Sequence, residues 1–81
     1  MAMNKDLKWA ATYLLEACNI PAGPNYLKAF ENPSANQQWI YALLRKASPQ
    51  IGSMTSGYYD RAIQILRANG ISTDPFGPGS G

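Results

Sequence analysis

The residues of this chain that could do chemistry are few, and their types exclude more than they permit. Among its 81 residues there is no histidine. That removes the commonest general base and the commonest transition-metal ligand. The single thiol, Cys18, has no partner for an intramolecular disulfide. Without histidine it completes neither a Cys–His nucleophile nor a familiar zinc site. The carboxylates Asp6, Glu16, Glu31, Asp60 and Asp74 are scattered with no calcium-loop spacing, and they read as acids solvating separate faces. Gly23, Gly52, Gly57 and Gly70 each suit a boundary or turn, and neither a dinucleotide fingerprint nor a phosphate loop is present. The sequence therefore predicts no catalytic, cofactor-binding or metal-binding residue, and no enzyme.

Two kinds of residue remain that could recognise a partner. The basic residues number 7 against 5 acids, a net charge of +2 that leaves no strong nucleic-acid footprint. A helix-turn-helix arrangement is nevertheless an alternative: Arg45 and Lys46 on phosphates, with Ser56, Tyr58 and Arg61 presented to a groove by the following helix. Against it, residues 49–54 make a connection longer than the usual turn of about 3–4 residues. Arg45, Lys46 and Arg67 also read as last-turn cations that favour the helix dipole, and Asp60 offsets Arg61.

The aromatic residues point elsewhere. Trp9, Tyr13, Tyr26, Trp39, Tyr41, Tyr58 and Tyr59 all fall on or beside apolar stripes, and a small bundle lacks the interior to bury every one. Rings left near the surface act as interface anchors or rim the core with their polar ends wet. As a protein interface the sequence predicts Trp9, Tyr13, Trp39, Tyr41, Tyr59 and, near the C-terminus, Phe76; of these, Tyr13, Trp39, Tyr41 and Tyr59 are expected to be exposed.

The elements that must carry these side chains are helices. Leu7, Ala11, Leu14 and Cys18 recur at helical spacing over residues 5–18, behind Asn4 as N-cap and Asp6 in the first turn. On that stripe Cys18 reads as a small buried hydrophobe in preference to a redox thiol. Asn19 suits the left-handed position after the last turn, and Pro21 prevents continuation. A shorter helix over 24–31 starts on Gly23-Pro24 and carries a narrow apolar edge of Tyr26, Leu27 and Phe30. Ser34 to Gln37 reads as a capping box opening a third helix with Ile40, Leu43, Leu44 and Ala47 inward, stopped at Ser48-Pro49. A fourth helix begins at Thr55 or Ser56, aligns Tyr58, Ala62, Ile65 and Leu66, and stops at Asn69-Gly70. Residues 14–20 and 65–71 echo one another, which we read as one capping solution used twice. Val is missing altogether and strict alternation is absent, so no strand is expected.

The fold expected is all-α: a small bundle or orthogonal array of about four short helices over residues 1–71. Residues 72–81 form a Pro/Gly-rich tail, flexible or bound to a partner. Only 15% of residues are charged, against about 25% in ordinary globular chains, so the surface is weakly protected against association. No signal peptide or membrane span is recognisable, which makes a cytoplasmic or otherwise intracellular location the expectation. Low charge, surplus aromatics and the tail together predict a non-catalytic interaction or assembly subunit. It would associate with itself or dock on a larger partner, as in a virion or other multi-subunit complex. The alternative is a small nucleic-acid-binding module built on the third and fourth helices.

Overall fold

Asn4 decides where the first helix begins. In the computed structural model, which describes residues 3–51 and 56–73, its side-chain oxygen accepts the Leu7 N–H at 2.7 Å. That satisfies one of the donors every helix start leaves open, a contribution of about 1 kcal/mol. Helix α1 then runs Lys5–Ala17, α2 Pro24–Glu31, α3 Gln37–Ile51 and α4 Ser56–Ala68. The protein is all-α, with no strand among the described residues.

Helices α1 and α4 end in the same way. Asn19 takes φ +59 and Gly70 φ +75. After α1, the Asn19 N–H donates to the Glu16 carbonyl and the Ile20 N–H to the Leu15 carbonyl, both at 3.0 Å. After α4, Gly70 donates to Arg67 and Ile71 to Leu66, again both at 3.0 Å. These are two Schellman caps, which satisfy the last carbonyls and fold the following apolar residue back over the helix end. Ile71 is buried, and Ile20 packs half-buried against the core. The echo between residues 14–20 and 65–71 is thus a shared cap.

Helix α1 is the central element, packed chiefly on α4, then α3, then α2. Its stripe is buried as its periodicity requires: Leu7, Ala11, Leu14 and Cys18, joined by Ala10 and Leu15. Ile40, Leu43, Leu44 and Ala47 of α3 close the core from one side, and Ala62 and Leu66 of α4 from another. Burying a Leu or Ile completely contributes about 1.5–3 kcal/mol, so these residues dominate the stability. The radius of gyration is 11.4 Å, within the roughly 11–12 Å expected of a lone chain this size.

Helix α3 departs from the sequence expectation at both ends. It starts at Gln37, not after a Ser34 cap. Residues 33–36 form a turn in which the Asn36 N–H reaches the Pro33 carbonyl at 3.1 Å, and the Asn36 carbonyl accepts the first helical bond from Ile40 at 2.9 Å. The Asn36 side chain turns back to the Asn32 carbonyl at 2.9 Å. Gln37, which would have closed the capping box, donates instead to the Ser72 carbonyl at 3.0 Å. A long-range partner has outcompeted the local one. At the other end α3 passes through Pro49 to Ile51. Proline's fixed φ is itself helical, and near a helix end its missing N–H removes a single backbone bond. Arg45 and Lys46 therefore lie inside the helix and not in its last turn.

Candidate interaction surface

Helices α1 and α4 lie antiparallel. The start of α1 meets the end of α4, where Asn4 Nδ2 donates to Asn69 Oδ1 at 2.8 Å. Further along α1, Trp9 and Tyr13 meet the first turn of α4. One helical turn separates these two residues, so their rings lie over one another. Their centroids are 5.5 Å apart with planes inclined by 7°. Tyr58 stands edge-on to both, 5.9 Å from Trp9 at 87° and 6.0 Å from Tyr13 at 86°. Edge-to-face and offset-stacked geometries are those the ring quadrupoles favour, each worth about 0.5–1.5 kcal/mol beyond burial. Trp9 remains 38% exposed and Tyr58 54%, so the group forms a fixed aromatic surface open to solvent.

A second aromatic group joins α2 to α3. Tyr26 stacks on Trp39 with centroids 6.1 Å apart and planes at 17°, and Phe30 meets Trp39 edge-on at 6.1 Å and 74°. Phe30 is only 1% exposed, which roots this group in the core. The outermost ring, Tyr26, is 41% exposed.

The structure redistributes the residues predicted for an interface. Tyr13, Trp39, Tyr41 and Tyr59 are all half-buried, contrary to the exposure expected of them. Trp39 is held by Phe30 and Tyr26, and Tyr59 packs against the core. Tyr41 places its hydroxyl 2.8 Å from Ser72 Oγ. Among the described residues, the exposed rings are Trp9, Tyr26 and Tyr58. Of these only Trp9 stood among the expected interface anchors, and Tyr58 had been placed in the nucleic-acid alternative. Phe76 lies outside the described residues.

Two tail residues are tied to the helices. Besides the bonds of Ser72 to Gln37 and Tyr41, Arg67 Nε donates to Thr73 Oγ1 at 2.9 Å. Residues 74–81 lie outside the described residues.

For the nucleic-acid alternative, Arg45, Lys46, Tyr58 and Arg61 are exposed. Ser56 opens α4. With α3 ending at Ile51 and α4 starting at Ser56, four residues join the helices, a shorter connection than the sequence suggested. Cys18 is buried, and its thiol donates to the Leu43 carbonyl at 3.6 Å. Burial pushes the thiol pKa up, partly offset by the charge of Lys46. A neutral, buried thiol is a poor nucleophile. Among the described residues no group of three or more His, Cys, Asp or Glu could hold a metal ion, and no helix is long and apolar enough to cross a membrane. No family model, curated protein or solved structure matches the chain.

Proposed function

We propose that this protein is a non-catalytic interaction subunit that associates through the Trp9–Tyr13–Tyr58 face, in the first instance with a second copy of itself. The observation that carries this is the exposure of Trp9 and Tyr58 in a group with no fully buried ring. Rigid aromatics with partial exposure lose little conformational freedom on contact and supply large apolar area, which is why they recur as interface anchors. A low charge content favours a second copy as the partner, because little like-charge repulsion opposes contact. Light scattering across a concentration series, repeated on Trp9→Ala with Tyr58→Ala, tests it. Mass should rise with concentration in the native chain and stay monomeric in the double variant. A native chain that stays monomeric throughout would sink the proposal.

A second function, nucleic-acid binding by α3 and α4, gains from two observations. The connection of four residues suits a helix-turn-helix, and Arg45, Lys46 and Arg61 are exposed on the two helices it joins. Arg45→Ala with Arg61→Ala should weaken binding to a DNA duplex and flatten its salt dependence. No binding at low salt ends that alternative.

A further inference from the structure

Asn69 is followed by Gly70, and this is the one Asn-Gly pair in the chain. A glycine in that place leaves its backbone nitrogen unshielded by any Cβ. Deprotonated, that nitrogen can attack the asparagine side-chain carbonyl. A bond forms between Gly70 N and Asn69 Cγ, the Cγ–Nδ2 bond breaks and ammonia leaves, giving a cyclic imide. Water then opens the imide at either carbonyl, to aspartate or to isoaspartate. Asn69 is exposed, so water has access.

Every group the reaction needs is engaged in the fold. The Gly70 N–H donates to the Arg67 carbonyl at 3.0 Å. Asn69 Nδ2 donates to the Ile65 carbonyl at 2.8 Å. Asn69 Oδ1 accepts from Asn4 Nδ2, also at 2.8 Å. Attack requires the nitrogen to give up its bond and the carboxamide to swing away from both of its own. Two of the three bonds lie within the last turn of α4. The third comes from the cap of α1, 65 residues away, and so depends on the packing of α1 against α4.

We infer that Asn69 is a latent deamidation site, held in check by the bond from Asn4 and released when the α1–α4 contact opens. Modification has consequences along the chain. An aspartate side chain at 69 has no N–H to add to the backbone bond on Ile65, and it puts negative charge at the negative end of the α4 dipole. Asp6 and Lys5 both line the same surface hollow, so the new charge meets one carboxylate and one cation there. An isoaspartate also lengthens the main chain by one carbon inside the cap. That disrupts the bonds through which Gly70 and Ile71 close α4, and with them the support for Ser72 and Thr73 on Gln37, Tyr41 and Arg67.

The test compares Asn4→Ser with the native full chain at mildly alkaline pH. Serine keeps an oxygen to cap Leu7, but its hydroxyl is one bond shorter than the carboxamide arm that reaches Asn69. Peptide mass mapping follows aspartate and isoaspartate at residue 69, and amide exchange follows Gly70 and Ile71. The native chain should deamidate far more slowly folded than in denaturant. Asn4→Ser should speed the folded reaction about fivefold, the population change that follows loss of one hydrogen bond, with equal rates for both chains in denaturant. Exchange should quicken at Gly70 and Ile71 ahead of α3. Equal folded and denatured rates in the native chain would overturn the inference, as would an unchanged rate in Asn4→Ser or acceleration spread evenly over all helices.

Discussion

The two aromatic groups have nearly the same internal geometry and opposite positions in the fold. Each contains a near-parallel pair and an edge-on ring, with centroids about 6 Å apart. The α2–α3 group ends on Phe30, which is wholly enclosed, whereas no ring of the α1–α4 group is fully buried. Ring–ring geometry alone therefore does not separate structure from surface. What separates them is whether one ring reaches the core. Phe30 lets its group staple a short helix of 8 residues to the bundle, a segment too short to be stable unaided. Trp9 and Tyr58 connect helices that Leu14, Leu15, Ala62 and Leu66 already hold together. Their contribution to the fold is thus the smaller, and their face is left available.

The sharpest break of this comparison is truncation on each side. Phe30→Ala should cost about 3–5 kcal/mol, as for other enclosed aromatics, and should loosen α2 first. Trp9→Ala should cost less, about 1–3 kcal/mol, the worth of its two ring contacts. Denaturant unfolding of both variants measures the gap, and equal losses would show that the α1–α4 group is as structural as the other.

A double-mutant cycle on Trp9 and Tyr58 sharpens the picture of the open group. A coupling of about 0.5–1.5 kcal/mol is expected for an edge-on pair. A coupling near zero would mean that the rings are not held in register, and the surface would lose its rigidity.

The smallest effect concerns Cys18, which lies against α3 on the enclosed side of the bundle. Its folded pKa is raised, so the neutral thiol is the form the fold favours. The associated stability is complete below the ordinary thiol value of 9.0 and is lost as pH rises through the higher folded value. Unfolding followed into the alkaline range should therefore show a decline that Cys18→Ala lacks. The same decline in both chains would show that Cys18 has no part in it.

Much of the fold was legible because helix caps and stripes are local. Asn4, Asn19 and Gly70 act on backbone groups within a few residues of themselves, and the stripe on α1 follows from residues one turn apart. The Gln37 bond to Ser72 spans 35 residues, and no local pattern announces it. The interface was legible only in part for the same reason. Periodicity marks a tyrosine as facing a seam, yet depth in that seam depends on the neighbouring helix, so Tyr41 and Tyr58 came out reversed.

The sequence by itself determined four helices, both ends of α1, the end of α4 and the main apolar stripes, because hydrogen bonding and side-chain spacing within one helix suffice to specify them. Only the tertiary structure decided which rings stay in water, that α3 continues through Pro49, and that Asn4 bonds Asn69 across the bundle. Each of those outcomes is a contest between a local preference and a partner distant in sequence or a tolerated local cost, and packing settles it.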